Sequence, residues 1–579
     1  MSINTVHPIT VLTPGLAAAL REDTDHRLGN LIVANINTQY ARGSSQLSNF
    51  RLAIKDKDVQ NDESVLSDFR RLIPPTNYES YRPFFEKFNS RPCRSSEVEN
   101  MLAPGLPVYI PLSSSTSGKK SKQFAKYLRS QPYFGGPSPL RVQTTSLMHT
   151  FAYRDPVVVV TDVGEVVKTI PLCNESSGIA RAQNNWSIET DETRMASILP
   201  GHVAPWATGF IIHHRSFLLI HALFTLANIS LEGITVSLLV TFMDMVHRIE
   251  EEWSTLVSSI RNGTIPEFEQ IDHVRTYLEL NMHADSQRAD ELQKIGPPLS
   301  SPGWAQLVWP SLKLLTCICS GTFAASLPQA RSVLGPNVAI HNPWYICTEC
   351  LIGRNLNPGD TETFVIATDE LIEFLDMTEE QTQEGVLQTW DLQPGKFYRP
   401  VSTTQDGLWR YLIDDIIQVV GFDPRNGLPV FRYSRRKNVE IRLPHALITE
   451  ADLLSVVCAF SGEDTVEVQE FTTVVDDRKF PLTLGFFISI KGNLGPNAKL
   501  VREKAFAALV ATSDEHQIAF DTDEFGLPTI RVVKPGTFAD YRRWRGESMK
   551  IGVGQIKLPA VLTDPKAQEW MAERVMIEL

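Results

Sequence analysis

The residues from Tyr109 to Lys122 carry the densest concentration of chemistry in the chain. They read Tyr-Ile-Pro-Leu-Ser-Ser-Ser-Thr-Ser-Gly-Lys-Lys-Ser-Lys: an apolar approach, the hydroxyl residues Ser113, Ser114, Ser115, Thr116 and Ser117, then Gly118, then Lys119, Lys120 and Lys122. Small hydroxyl side chains leave backbone N–H groups open to phosphate oxygens, and lysine ammonium groups neutralise the charge that gathers there. The stretch departs from the G-x-x-x-x-G-K-[ST] loop, because position 113, five before Gly118, is a serine. A solvated Ser/Lys loop with no ligand has the same composition. Other residues must decide between the two.

Two further places hold carboxylates in apolar company. In Trp344-Tyr345-Ile346-Cys347-Thr348-Glu349-Cys350-Leu351-Ile352-Gly353, a strand-like approach meets a small-residue corner that carries Glu349. In the run from Gly407 to Phe422, Asp414 and Asp415 interrupt a sequence otherwise composed for a buried strand. Burying a carboxylate is costly unless it is paired or hydrogen-bonded, so one of the two is expected to have a function. Arg435 and Lys557 complete the set of candidate residues. Cys347 and Cys350 form a C-x-x-C, but Cys317 and Cys319 are spaced C-x-C and no regular His pair follows, so zinc is not the expected reading. His213-His214 lacks a third ligand at helical spacing. Neither G-x-S-x-G nor G-x-G-x-x-G occurs, which removes the hydrolase elbow and the dinucleotide fingerprint.

The elements that must position these residues are those of an α/β protein. Leu16, Leu20, Leu28, Ile32 and Ile36 recur at helical spacing in a mostly helical segment to residue 105. Two β-branched runs, Val157 to Val160 and Val166 to Ile170, joined through Asp162-Val163-Gly164, predict paired strands. Phe217 to Val240 is expected to be buried helix, and Phe242, Val246, Ile249, Trp253, Leu256 and Ile260 form a helical stripe ending at the cap residue Gly263. Leu314 to Cys319 is a continuous apolar run that meets Ser320-Gly321-Thr322, the pattern of a buried parallel strand feeding a helix. Ligands of such sheets gather at the carboxyl ends of the strands, which makes Gly321 and Thr322 candidate pocket residues. After Phe431 to Val439 the composition changes. A capping box, Thr449-Glu450-Ala451-Asp452, precedes a helix to Phe460. Strands over 466–475 and 481–490, a helix over 497–512, a strand over 529–533 and a tail follow.

With 579 residues, 42% of them hydrophobic, the chain is long enough for more than one core. Its 55 Lys and Arg against 67 Asp and Glu give a net charge of -12, which argues against nucleic acid as a partner. The N-terminus shows no charged region followed by an apolar one, and seven dispersed cysteines suit a reducing compartment, so a cytoplasmic location is expected. The most apolar stretch, from Phe217 to Val240, carries Glu232 and is not expected to enter a membrane.

Taken in order, the motifs resemble those of the Gretchen Hagen three (auxin-responsive) acyl-acid amido synthetase family, within the adenylate-forming enzymes. The stretch 113–122 is similar to that family's Ser-Ser-Gly-Thr-Ser-Gly-Gly-x-x-Lys loop, with Ser115 and Lys119 in place of two glycines. Tyr345 to Cys350 is similar to its Tyr-Ala-Ser-Ser-Glu-Cys, and Gly407 to Phe422 to its Gly-Leu-Tyr-Arg-Tyr-Arg-Val-Gly-Asp, with Asp414 in place of the glycine beside Asp415. Phe431 to Val439 resembles its hinge and Gln555-Ile556-Lys557-Leu558-Pro559 its C-terminal Gln-Tyr-Lys-x-Pro.

The resemblance implies a large N-terminal adenylating domain (1–433) with sheets packed by helices, and a small mobile α+β C-terminal domain (434–579). It implies a ligase that uses ATP and Mg²⁺ to convert a small carboxylic acid to acyl-AMP and then an amide, with an amine or amino acid as acceptor. In that scheme Ser113 to Gly118, Lys120 and Lys122 hold phosphates. Cys347, Thr348, Glu349, Asp415 and Arg435 belong to the nucleotide site, with Glu349 at the metal. Gly321, Thr322 and Tyr345 border the acyl acid, and Lys557 acts with Glu349 in catalysis. Which of Asp414 and Asp415 faces the ribose stays open. Transfer to a thiol such as coenzyme A, and a degenerate relative that only binds nucleotide or acid, are the alternatives.

Overall fold

The computed structural model describes residues 5–113, 122–127, 141–152, 154–377, 382–437, 439–443, 445–549 and 556–579. Contacts divide the chain into two compact units. The first takes the described residues of Met1–Ser113, Ser121–Ser320 and Arg331–Tyr433; the second includes Gly321–Ala330 and Ser434–Leu579.

The first unit opens with the helix Pro14–Asn35. Thr13 accepts the Leu16 N–H at its hydroxyl, and proline occupies the first helical position, where no amide hydrogen is needed. Leu20, Thr24, Leu28, Ile32 and Asn35 are buried at steps of three and four, so one face turns inward. That face and the helices after it share a core with a large antiparallel sheet, in which Leu28, Ile32, Phe50 and Phe69 meet Phe374, Trp409 and Phe431. The sheet runs in the order Val386–Leu387, Leu371–Asp376, Phe397–Thr403, Asp415–Phe422, Pro429–Arg436, Thr363–Ile366, Leu351–Asn355 and Trp344–Ile346. Within this core the Arg410 guanidinium lies on Glu373, both side chains 1% exposed, and donates also to the carbonyls of Arg70 and Ile73.

A second sheet of this unit is parallel, in the order Thr145–Met148, Gly233–Leu238, Leu314–Ile318 and Ala339–His341. The Leu314–Ile318 strand follows the sequence expectation. The stretch from Phe217 to Val240 does not, since it is the helix His214–Ala227, the strand Gly233–Leu238 and the start of a further helix. Ile234, Val236 and Leu238 are buried at alternate positions of that strand. The stripe from Phe242 to Ile260 is shared by two helices, Leu239–Glu251 and Trp253–Asn262. It ends at Gly263 with φ +65, where an added Cβ would meet Ala284 N at 2.4 Å. In a third sheet, Asp155–Val160 and Val166–Cys173 are antiparallel neighbours, turned through Gly164 at φ +92.

The second unit packs helices on a sheet ordered Val468–Asp476, Thr483–Ile490, Thr529–Val533, Val575–Glu578. Thr449 and Asp452 form the reciprocal cap expected at the start of Glu450–Phe460. The expected tail is instead structured. Thr537–Met549 and Pro565–Ala572 are helices, Trp544 stacks on Trp570, and Val575–Glu578 pairs antiparallel with Thr529–Val533. Among the described residues, no helix is long and apolar enough to cross a membrane.

Candidate functional site

The two ends of the serine-rich stretch lie side by side. Tyr109 bridges Lys126, Leu112 bridges Gln123, the Ser113 N–H donates to the Lys122 carbonyl at 2.8 Å, and the Lys122 N–H donates to Ser113 Oγ at 2.9 Å. Ser114, Ser115, Thr116, Ser117, Gly118, Lys119 and Lys120 lie outside the described residues. From this base, Lys122 Nζ reaches to 3.9 Å from Asp414 Oδ2 and 5.7 Å from the centre of the Tyr78 ring.

Asp414 lies in the bend before the strand and Asp415 is the first residue of it, and the two carboxylates have different partners. Asp414 faces Arg399, whose Nη2 stands 3.1 Å from its Oδ1, and Lys122. Asp415, which begins the strand Asp415–Phe422, is buried and accepts the Tyr345 hydroxyl at 2.6 Å. Tyr345 comes from the Trp344–Ile346 strand, and its ring packs against Phe364, Phe431 and Tyr433.

Between the antiparallel strands Trp344–Ile346 and Leu351–Asn355 lies a tight turn, closed by the Cys347 N–H donating to the Cys350 carbonyl at 3.0 Å. Thr348 and Glu349 are carried on it, both half-buried. A hydrogen bond between the Cys347 and Cys350 side chains, together with burial, holds the Cys347 thiol well above the usual thiol range. Cys347 is therefore a thiol, not a thiolate, at neutral pH. Among the described residues, the Glu349 carboxylate has no hydrogen-bond or ion-pair partner, and no group of three or more His, Cys, Asp or Glu residues could hold a metal. Glu349 could supply one carboxylate oxygen to a hard cation that took its other ligands from elsewhere.

In the second unit, Gly321 at φ +63 opens a short turn of 3₁₀ helix that includes Thr322 and Phe323. Lys557 Nζ stands 5.5 Å from the centre of the Phe323 ring. The residues after Lys557 are strapped to the strand Val468–Asp476. Thr472 and Thr473 donate through their hydroxyls to the carbonyls of Pro559 and Ala560, at 2.7 Å each. Arg435 lies in the strand Pro429–Arg436. The structure thus brings Ser113, Lys122, Tyr345, Glu349 and Asp415 into the first unit, and Gly321, Thr322, Arg435 and Lys557 into the second.

The profile of the GH3 family N-terminal domain matches residues 25–338, more than half of the chain, and that of the GH3 family central domain matches residues 363–436. The chain belongs to the GH3 family. It is similar to the probable indole-3-acetic acid-amido synthetase GH3.1 of Oryza sativa subsp. japonica, 23% identical over 95% of this chain and 88% of that protein. It is also 25% identical to the indole-3-acetic acid-amido synthetase GH3.15 of Arabidopsis thaliana, over 58% of this chain and 60% of that one. Its fold matches the solved GH3.15 acyl acid amido synthetase with a TM-score of 0.75 at 19% identity, covering 98% of this chain and 95% of the other.

Two features of this GH3 family member are invisible to motif reading. The first is a buried polar cluster beneath the Glu349 turn. Lys126 Nζ donates to the Glu349 carbonyl at 2.8 Å and stands 3.7 Å from Asp406 Oδ2, while Tyr109 donates to Glu175 at 2.9 Å. Burial pushes the Glu175 carboxyl up to about 7, against the pull of Lys126 and Tyr109. Asp406, Glu175 and other carboxylates in turn raise Lys126 despite its own burial, so it stays charged. Lys126 and its neighbours Phe124, Ala125 and Tyr127 are all buried. The second is a small cavity at the carboxyl end of the Thr145–Met148 strand, lined by Leu147, His149, Phe151, His202, Trp206 and His221 among others. Burial drives His149 down to about 4 and His221 to about 3, so both imidazoles are neutral.

Proposed function

We propose that this GH3 family member is an ATP-dependent acyl-acid amido synthetase. The observation that carries the reading is that the base of the serine-rich stretch is tied both to the Glu349 turn, through Lys126, and to the Asp414–Asp415 corner, through Lys122. A phosphate-binding stretch, a carboxylate with no partner among the described residues and a buried carboxylate held by a tyrosine hydroxyl thus belong to one connected arrangement. Membership in a family whose relatives are amido synthetases agrees with it.

The substrate carboxylate oxygen attacks the α-phosphorus of ATP, and pyrophosphate leaves to give acyl-AMP. The amine nitrogen then attacks the acyl carbon, loses a proton and expels AMP, which leaves an amide. Neither half requires covalent participation by the protein, so its contribution is positioning and charge. Ser113 and Lys122 bound the segment that cradles the β- and γ-phosphates. Asp415, oriented by Tyr345, accepts the ribose hydroxyls, while Asp414 is engaged by Arg399 and Lys122. Mg²⁺, when bound, neutralises phosphate charge; Glu349 would hold it together with phosphate oxygens. Lys557 is assigned to the substrate carboxylate and α-phosphate. The cavity at His149 and His221 is the seat proposed for part of the acyl group, since parallel sheets gather ligands at the carboxyl ends of their strands.

The test is acid-dependent exchange of labelled pyrophosphate into ATP across a panel of carboxylic acids, followed by product analysis with amino acids and with coenzyme A. Exchange with at least one acid, and an amide as product, is the expected result. A thioester product in place of an amide replaces the acceptor half of the reading. No exchange with any acid, in protein that binds ATP, overturns it.

A further inference from the structure

We propose that Lys126 is a positioning residue for the nucleotide site: its ammonium group fixes the main chain of the Glu349 turn to the base of the serine-rich stretch, so that the Glu349 carboxylate is held where the phosphates lie. This rests on the reading of Glu349 given above.

Lys126 belongs to the base by its backbone. Its N–H donates to the Tyr109 carbonyl at 3.0 Å, and its own carbonyl accepts from the Val108 N–H at 2.7 Å. Its side chain crosses to a turn 223 residues further along the chain and donates to the Glu349 carbonyl at 2.8 Å. The turn has one closing backbone bond, from Cys347 to Cys350, and the Glu349 carboxylate has no hydrogen-bond or ion-pair partner among the described residues. The Lys126 contact is thus what joins this turn to the segment that leads into the phosphate loop.

The cost of placing a charge there makes a packing role a poor account of it. The Lys126 side chain is 2% exposed, and a methionine would fill the same volume without desolvating an ammonium group. The charge is kept by a dedicated counter-charge. Asp406, 4% exposed, stands 3.7 Å away and is itself oriented by the Tyr127 N–H, which donates to its Oδ1 at 2.7 Å. Glu175, held by Tyr109, lies in the same cluster. An ammonium stabilised in this way presents a short, directed, charge-assisted donor to a main-chain carbonyl. That fixes the turn more firmly than apolar packing would.

The experiment compares wild type with Lys126→Met, with Lys126→Met/Asp406→Asn, which removes the orphaned carboxylate charge, and with Lys126→Arg, which keeps a donor. Thermal unfolding is measured for each, together with kcat, the KM for ATP, the KM for the acid and the Mg²⁺ concentration dependence of pyrophosphate exchange. The expected result is a folded double variant with its acid KM unchanged. Its ATP KM and half-saturating Mg²⁺ concentration rise roughly tenfold, the scale of one lost charge-assisted hydrogen bond, with partial recovery in Lys126→Arg. A folded double variant with wild-type ATP and Mg²⁺ dependence overturns the proposal. So does a loss that follows the folded fraction alone, or failure of both methionine variants to fold, since each assigns Lys126 to stability. Absence of exchange in the wild type instead overturns the function proposed above, which keeps the two failures apart.

Discussion

Tyr345 donates its hydroxyl hydrogen to Asp415 Oδ2 at 2.6 Å across 70 residues of sequence, and the carboxylate it holds is buried. A carboxylate fixed by a phenol in a strand of the same sheet is oriented before any ligand arrives. Asp415→Asn, which keeps the shape and removes the charge, is expected to raise the KM for ATP by about 10- to 100-fold, the scale of a lost hydrogen bond to a charged acceptor. Tyr345→Phe is expected to give a smaller rise in the same direction. Steady-state exchange kinetics over a range of ATP concentrations check both; an unchanged ATP KM in Asp415→Asn removes that residue from the nucleotide site.

The residues just after Lys557 are held by the Thr472 and Thr473 hydroxyls, and its ammonium group lies over the Phe323 ring. If its ammonium acts on charge that develops during adenylation, Lys557→Ala lowers kcat for pyrophosphate exchange by about 10²- to 10³-fold, the scale of one removed transition-state donor, with ATP affinity little changed. Equilibrium ATP binding measured beside exchange makes the separation. An equal loss in both would mean that Lys557 binds ground-state nucleotide instead.

How much of this was legible in the sequence depended on whether the signal was local. The Leu314–Ile318 strand, the Thr449–Asp452 cap and the pairing of Val157–Val160 with Val166–Ile170 were readable because one short continuous run of sequence contains each whole pattern. The strand Gly233–Leu238 was not, because the alternation of Ile234, Val236 and Leu238 with Thr235 and Ser237 is short and follows closely on the apolar helix His214–Ala227, with which it reads as one stretch. The structured C-terminal segment was missed because Arg542, Arg543 and Arg545 make Thr537–Met549 read as polar, while its packing comes from Phe538, Tyr541 and the Trp544–Trp570 stack. At the site, Glu349 and Asp415 stand out as carboxylates in apolar runs. Lys126 does not, because beside Lys119, Lys120 and Lys122 it reads as one more solvated lysine, and its burial depends on Asp406 and Glu349, which only the fold brings near.

The motif from Gly407 to Tyr411 is explained by packing as much as by catalysis. Gly407 has φ +88, and a Cβ there would stand 1.9 Å from the Leu102 carbonyl oxygen. Arg410, at φ +45, is buried on Glu373. Arg410→Met leaves Glu373 buried and uncompensated and is expected to cost about 3–5 kcal/mol, whereas Arg410→Met with Glu373→Leu recovers most of that by removing the orphaned charge. Denaturant unfolding of the three proteins checks the difference. A double variant as unstable as the single one would place the cost instead in the lost bonds to the Arg70 and Ile73 carbonyls.

Glu175 makes the stability of the first unit depend on pH. Burial raises its carboxyl from 4.5 to about 7. Between these values the folded protein holds a proton that the unfolded chain has released, so stability declines as pH rises through this window and levels off above it. The full decline attributable to Glu175 is about 3 kcal/mol. Glu175→Gln keeps a polar group against Tyr109 but cannot titrate. Its stability relative to wild type is therefore expected to increase from pH 4.5 to pH 7 and then to stay constant, whatever other groups titrate in both proteins. Parallel unfolding curves for the two proteins across that range would show that Lys126 and Tyr109 keep Glu175 ionised in the fold, and that the buried cluster carries its charges in pairs.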